Sequence, residues 1–214
     1  ATTAIYTLSL HDALPISITL ESFRKSPMIS DPINLMDASP VSDGAAAIVL
    51  SAHPIRNGNK NVSVIASSSM TDTLSLQNRK VATRLTAAES SAKAAYGQAG
   101  LSPADIGVFE YHDAFSIMAA LSLESAGFCQ PGEGPKLAIE NKIQFDSDIP
   151  VATMGGLKAR GHPVGATGIY QLVEATLQLQ ERAGATQVKR PKYAMTQNIG
   201  GSGSNIITHI LQAE

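Results

Sequence analysis

Strand-like and helix-like segments alternate along most of this 214-residue chain, and that alternation limits the fold more than any other feature. Apolar, β-rich runs predict strands at 62–69, 106–111, 193–197 and 205–211. Apolar residues at three- and four-residue spacing predict helices over about 81–99, 116–126 and 166–183. A glycine, the residue that most often ends a helix, follows them at positions 100, 127 and 184. Chains with this alternation form α/β folds, so an α/β class is predicted.

Shorter segments carry further predictions. The stretch Ser102–Asp105 has a capping serine, a proline and an acidic residue in the order typical of a short helical turn. The apolar run at 45–52 predicts a strand or a buried helix. Residues 53–61 are polar and rich in turn formers, as linkers are, and residues 128–147 form a longer polar connection.

Composition excludes several classes of function. Sixteen basic residues against 18 acidic ones give a net charge of −2, and no basic tract is present, so no nucleic-acid partner is predicted. No apolar run approaches the roughly 18 residues that span a bilayer, so no membrane contact is predicted. The single cysteine, Cys129, excludes an intrachain disulfide and favours a reducing compartment, and we expect a cytoplasmic location. No metal site is predicted.

The first 17 residues differ in character from the rest of the chain. They lack the basic start of a signal peptide, and Asp12 and Pro15 interrupt their apolar stretch. The string TLSLHDALPI resembles translated sequencing-adapter sequence, which predicts that residues 1–17 are not native and that His11 plays no catalytic role. An ordinary frayed N-terminus is the alternative.

Three loops carry residues capable of chemistry. His112 and Asp113 follow a predicted strand, His162 lies in a glycine-rich approach to a helix, and residues 198–204 form a glycine-rich loop between two strands. Because ligands of open α/β sheets bind at the carboxyl ends of the strands, we expect these loops to converge. Imidazoles exchange protons near neutral pH, and unobstructed backbone N–H groups stabilise oxyanions. The combination suits a reaction that builds negative charge on a carbonyl oxygen.

Each loop also has a simpler explanation. A histidine at a strand end is often only a hydrogen-bonded structural group. The sequence GHPVGATG at 161–168 also fits turn geometry or phosphate binding, and NIGGSGS at 198–204 also fits a plain hairpin. His53 and His209 lack a supporting motif and are predicted to be structural. A hydrolase that uses Ser202 or Ser204 is disfavoured, because no nucleophile-elbow motif presents either serine.

Four stretches taken together resemble the thiolase family, in particular its sterol-carrier-protein-type branch. They are DASPVSDGAAAIVL at 37–50, HDAFS at 112–116, GGLKARGHPVGATG at 155–168 and QNIGGSGS at 197–204. The resemblance implies a thiolase-like fold, in which two similar halves form a five-layered αβαβα sandwich. Residues 61–214 would then be the C-terminal αβ half, and residues 18–60 the tail of the N-terminal half with its linker.

The resemblance also implies roles for individual residues in an acyl-CoA acyltransferase that performs thiolysis or Claisen condensation. His162 would activate a nucleophilic cysteine of the N-terminal half, and His112 would complete the oxyanion site around the thioester carbonyl. The backbone N–H of Gly200 would serve a second oxyanion hole, while Gly201 and Ser39 would contact the substrate. Coenzyme A thioester is expected as substrate and not as a permanently bound cofactor, and a homodimer or homotetramer is expected.

Three positions depart from the family pattern. Relatives carry an acid/base cysteine at the positions of Ala114 or Asn198, and neither of these side chains transfers a proton readily. Cys129 lies in GFCQPGEG, which is not the context of the family nucleophile, so we expect a non-catalytic thiol. The alternative to an enzyme is therefore a non-catalytic thiolase-like subunit that binds acyl-CoA or completes a complex. Lys158 or Arg160 is a candidate for coenzyme A phosphates on charge alone.

Overall fold

The computed structural model describes residues 18–54 and 58–214, and a mixed four-stranded sheet lies at its centre. Strands β1 (Met28–Ser30) and β2 (Ile33–Asn34) pair separately, and the central sheet contains β3 (Val62–Thr71), β4 (Val108–Glu110), β5 (Tyr193–Gly200) and β6 (Asn205–Ala213) in the order β3-β6-β5-β4. Strand β6 is antiparallel to both of its neighbours, whereas β4 and β5 are parallel. The carboxyl ends of β4 and β5 therefore meet at one edge of the sheet.

Helices cover both faces of this sheet, as the α/β prediction requires. They are α1 (Leu20–Lys25), α2 (Thr86–Ala99), α3 (Ser116–Ser125), α4 (Gly134–Ile139), α5 (Gly156–Arg160) and α6 (Thr167–Leu179). Helices α2 and α3 pack on one face of the sheet and α6 packs on the other. The short turn predicted from Ser102 is a single 3-10 turn, Pro103–Asp105.

Alternate side chains of the central strands pack against helices on opposite faces of the sheet. Phe109, Met195 and Ile210 point into a core shared with α2 and α3. Their sequence neighbours Val108 and Ala194 point the other way and pack against α6. Successive side chains of a strand face opposite sides, so a strand covered on both faces reads as a continuous apolar run.

Two predicted helix boundaries are wrong by about one turn. Helix α2 begins at Thr86 and not at 81, because Leu85 packs into the core from a non-helical conformation, while Val81 stays exposed. Helix α6 ends at Leu179 and not at 183, because Glu181 adopts a positive φ of 58° that a helix cannot contain. Helix α4 was not predicted within the polar connection at 128–147.

The run at 45–52 is neither the strand nor the buried helix that its apolarity predicted. Residues 43–50 have no regular structure, and Val49 and Leu50 are largely exposed. An apolar run forms a buried element only where another apolar surface covers it. Here Ile48 packs against Val173 and Leu177 of α6, while its neighbours Val49 and Leu50 stay largely exposed.

The prediction for residues 1–17 lies outside the described part of the chain. No helix within the described ranges is long and apolar enough to cross a membrane.

Candidate active site

His112 stands where strand β4 ends and the chain turns toward α3. Its side chain follows Val108 and Glu110 on the α6 side of the sheet, and the residue is buried. Burial lowers the pKa of His112 to about 4, and the neighbouring His162 and Arg160 act in the same direction. The imidazole is therefore neutral at physiological pH.

His162 lies beside it on the connection between α5 and α6. Its backbone N–H donates to the carbonyl of Pro40 at 2.8 Å, which fixes the loop against the segment that precedes the central sheet. The two histidine rings are 5.0 Å apart between centroids and nearly perpendicular, at 85°. Burial lowers the pKa of His162 first, Arg160 lowers it further, and Asp113 opposes both. The expected convergence of these two loops is confirmed.

Thr167 forms a hydrogen bond with His162. The Thr167 Oγ1 atom lies 2.7 Å from Nδ1 of His162 and 3.3 Å from the Pro163 carbonyl oxygen. That carbonyl also accepts from the N–H groups of Ala166 and Thr167, so the hydroxyl hydrogen has two alternative acceptors. When the hydroxyl donates to Pro163, its oxygen accepts from Nδ1–H of His162, and Nε2 carries the lone pair that a general base requires.

Asn198 joins the histidine pair from strand β5. Its Nδ2 atom lies 3.3 Å from Nδ1 of His112 and 3.3 Å from Oε1 of Gln171 on α6. Gly168 makes room for this amide, since a Cβ at that position would lie 3.3 Å from Asn198 Cγ and Nδ2. Position 198 is thus occupied by a hydrogen-bonded amide that lies against the first histidine.

The glycine-rich turn beyond Asn198 is shorter than expected. Strand β5 continues through Gly200, which pairs with Asn205, so the loop predicted at 198–204 is a hairpin turn at 201–204. Gly201 and Gly203 have φ values of 57° and 94°, a region that favours glycine. Alternate residues of a strand share a face, so Gly200 lies on the same side as Asn198.

Ser39 belongs to the segment that encloses the histidines from the N-terminal side. Its N–H donates to the carbonyl of Ala114 at 2.8 Å, and Val41 forms a β-bridge with His162. Gly161 is required at this contact, because a Cβ there would lie 2.5 Å from the hydroxyl oxygen of Ser42. Ser39 is therefore close in space to both histidine loops, although its role toward a substrate stays a prediction.

Comparison with known protein families matches residues 68–213 to the thiolase C-terminal domain-like family. The chain belongs to the thiolase family. It is 42% identical over 198 residues to an acetyl-CoA acetyltransferase of Methanothermobacter thermautotrophicus, covering 92% of this chain and 52% of that protein. It is 33% identical to rat sterol carrier protein 2, covering 89% of this chain and 36% of the relative. The family resemblance of the sequence motifs is confirmed.

The fold agrees with a solved thiolase-like structure. The Ltp2-ChsH2(DUF35) aldolase superposes with a TM-score of 0.80 over 92% of this chain and 51% of the other, at 22% identity. This likeness establishes the fold. The chain spans about half the length of the archaeal relatives that it matches.

A buried cluster of charges lies behind the histidines of this thiolase chain. Arg160 Nε is 2.8 Å from Glu174 Oε1, and both side chains are more than nine-tenths buried. The guanidinium also covers the ring of Tyr170 at 4.6 Å. Fully buried Glu110 faces Glu174, and burial raises the pKa of Glu110 well above its ordinary value, with the charge of Glu174 acting in the same direction. Glu110 is thus the protonated member of the carboxyl pair.

The contacts of Lys158 and Arg160 do not support the charge-based suggestion that either residue meets coenzyme A phosphates. The Lys158 ammonium donates to the carbonyls of Met36 and Asp37 and lies 3.1 Å from Ser116 Oγ, so it fastens the N-terminal segment to α3. Arg160 is enclosed with Glu174. Both cations therefore make contacts within the chain.

Asp113, which the sequence paired with His112, is a structural group. Its carboxylate accepts from the N–H of Leu157 at 2.8 Å, and a Cβ on Gly156 would lie 2.5 Å from its Oδ2. Burial raises the pKa of Asp113, against the lowering effect of its backbone hydrogen bonds.

Sequence reasoning missed Gln171, Glu174 and Glu110. One signal was available: Gln171, Glu174 and Gln178 recur at three- and four-residue spacing on a helix whose other buried residues are mostly apolar. All three are buried in the structure. Polar residues at helix-core spacing indicate a buried hydrogen-bond network.

The neutral His112 predicts a specific dependence of stability on pH. Its pKa is lower in the folded chain than the ordinary 6.5, so its contribution is complete above pH 6.5 and is lost as the pH falls from there to about 4. We expect the free energy of unfolding to fall by on the order of 2 kcal/mol over this pH range, and by less in His112→Asn. Urea unfolding at a series of pH values measures this free energy. An equal decrease in the wild-type chain and in His112→Asn would contradict the prediction.

Proposed function

We propose that this chain is the C-terminal half of an acyl-CoA acyltransferase that performs thiolysis or Claisen condensation. The observation that carries the proposal is the pair of neutral histidines, 5.0 Å apart, beside the carboxyl end of β5. The name of the archaeal relative, acetyl-CoA acetyltransferase, supports a coenzyme A thioester as substrate. The active form would be the chain joined to an N-terminal half of the kind that its relatives carry (the completed protein), in a homodimer or homotetramer.

His162 is the proposed base for the nucleophile. Its Nε2 lone pair would take the proton of a cysteine thiol in the N-terminal half. The resulting thiolate would attack the thioester carbonyl, and coenzyme A would leave as the acyl-cysteine forms. Cys129 is not that nucleophile: burial raises the pKa of its thiol to about 11, with Glu124 and Glu133 adding to the effect, and the side chain packs beside the core.

His112 and Gly200 are the proposed oxyanion stabilisers. A neutral imidazole donates one hydrogen bond without adding a charge, which suits a carbonyl oxygen that becomes negative in the transition state. The backbone N–H of Gly200 would do the same at the second oxyanion hole. Loss of one such donor lowers kcat about 10²–10³-fold in enzymes of known mechanism. Gly201 and Ser39 are the proposed substrate contacts, and the enzyme is proposed to be cytoplasmic.

The activity of the 214-residue chain by itself tests this division of labour. We expect no cleavage of acetoacetyl-CoA in the presence of coenzyme A, because the nucleophile would lie in the other half, while the completed protein cleaves it. The loss of acetoacetyl-CoA absorbance measures the rate. Cleavage by the chain that disappears in Cys129→Ser would contradict the proposal and assign the nucleophile to Cys129.

Ala114 and Asn198 favour a second candidate, a thiolase-like subunit that binds acyl-CoA without chemistry. The family resemblance implies an acid/base cysteine at one of these two positions, and neither of the side chains present transfers a proton readily. A cysteine in a strand-to-helix turn of the upstream coding sequence would support the enzyme. Binding of acyl-CoA to the completed protein with no transfer of a labelled acyl group would support the subunit.

A further inference from the structure

The hydrogen bonds around Asn198 form a chain that begins at a backbone carbonyl. Gln171 Nε2 lies 3.3 Å from the carbonyl oxygen of Gln197, and Gln171 Oε1 lies 3.3 Å from Asn198 Nδ2. Asn198 Nδ2 in turn lies 3.3 Å from Nδ1 of His112. All four residues are buried or partly buried, and the chain runs from the sheet backbone through α6 to the imidazole.

The direction of each bond in this chain follows from its first member. A carbonyl oxygen can only accept, so the Gln171 atom that faces it is the amide nitrogen and the other end of Gln171 is the acceptor. The Asn198 atom that faces that acceptor must then be the nitrogen, whose second hydrogen is directed to His112. Nδ1 of His112 is therefore an acceptor, and the ring proton of the neutral imidazole is on Nε2.

We infer that Asn198 and Gln171 are positioning residues that hold His112 in its Nε2–H tautomer. Only the catalytic consequence of this inference rests on the proposed function. That consequence is that Nε2–H of His112 is the donor to the thioester oxygen. A cysteine at position 198 could not replace the amide, because a thiol has one hydrogen and cannot serve both Gln171 and His112. Asparagine at this position thus fixes the proton of its neighbour and does not carry a proton itself.

The neutrality of His112 is consistent with this arrangement. Burial lowers its pKa to about 4, so Nδ1 keeps the lone pair that the Asn198 amide needs. In water the two tautomers of a free imidazole interconvert, and in a protein the hydrogen bond made by one ring nitrogen determines which nitrogen carries the proton. Asn198 is such a neighbour, since Gln171 and the space above Gly168 determine its own orientation.

The tautomer is measured directly by nitrogen NMR of the imidazoles in the 214-residue chain labelled with ¹⁵N at neutral pH. The expected result is a protonated Nε2 and an unprotonated Nδ1 for His112. In Asn198→Asp, an isosteric carboxylate accepts where the amide donated, and we expect the proton to move to Nδ1. In Asn198→Ala the two tautomers should become averaged. A wild-type His112 protonated on Nδ1, or an unchanged tautomer in Asn198→Asp, overturns the inference.

Gln178→Leu is the matched control, because Gln178 lies two turns along the same helix and bonds to Thr153, Thr186 and Val188. It should lower stability and leave the His112 tautomer unchanged, whereas Gln171→Leu should loosen the tautomer. If the Asn198 variants fail to fold, Gly168→Ala replaces them: its Cβ crowds the amide, and the His112 nitrogen resonances should move toward an averaged tautomer. Unchanged resonances in Gly168→Ala would overturn the inference in that case.

The catalytic consequence has a separate readout. In the completed protein, Asn198→Ala should lower kcat for acyl transfer about tenfold with little change in KM, and Asn198→Gln should restore part of the loss. A change in KM alone would overturn the positioning role. Complete absence of acyl transfer in the wild-type completed protein would contradict the proposed function, and the tautomer measurement would remain decisive for the inference.

Discussion

His162→Ala in the completed protein is expected to lower the rate of acyl-enzyme formation by about 10²–10⁴-fold. The reason is the position of the ring: His162 lies beside His112, and with Thr167 accepting from Nδ1–H its Nε2 is the proton acceptor. The measurement is transfer of label from a radiolabelled acyl-CoA to the protein, followed with time.

His53→Ala is the matched control, because His53 is an exposed histidine outside the motifs. It should label at the wild-type rate. Circular dichroism should be the same for all three proteins, since the backbone of residue 162 is held by Pro40 and the side chain contributes little to that contact. Unchanged labelling in His162→Ala would mean that another group activates the nucleophile.

Glu174→Ala is expected to lower the free energy of unfolding of the chain by about 3–5 kcal/mol. The substitution leaves the Arg160 guanidinium buried without its carboxylate, 2.8 Å away in the native pair. Nη1 and Nη2 of Arg160 have no other hydrogen-bond partner among the described residues. Arginine cannot shed its charge to escape the apolar surroundings, so the cost remains in the folded state. Denaturant unfolding measures the change.

Glu181→Ala provides the contrast for this prediction. Glu181 pairs with Lys60 at 2.6 Å, but both side chains are more than two-fifths exposed, and such pairs contribute about 0–1 kcal/mol. Arg160→Met should cost less than Glu174→Ala, because the carboxyl pair it leaves behind can bind a proton. Equal losses in Glu174→Ala and Glu181→Ala would show that the buried pair is not a structural requirement.

The convergence of His112 and His162 could be predicted from the sequence because it follows from topology. A strand and a glycine-rich loop before a helix deliver these residues to the carboxyl edge of the sheet, and that edge is where α/β folds collect functional groups. The hairpin after Gly200 was also foreseen, although its length was not, since nothing in NIGGSGS marks where pairing stops.

The remaining features depend on contacts between distant parts of the chain. Lys158 and Arg160 differ in no local pattern from surface cations, yet the carbonyls of Met36 and Asp37 and the carboxylate of Glu174 enclose them. The apolar run at 45–52 shows the opposite failure. Its apolar residues predict burial, but burial requires a covering surface, and Leu50 is left 76% exposed.

The most direct test of the proposed acyl-CoA site is an imidazole NMR titration of the completed protein with an unreactive ether analogue of acetyl-CoA. Binding should shift the ring resonances of His112 and His162 together and leave those of His53 and His209 in place. Saturable binding that moves neither His112 nor His162 would contradict the site at which this structure brings the two rings together.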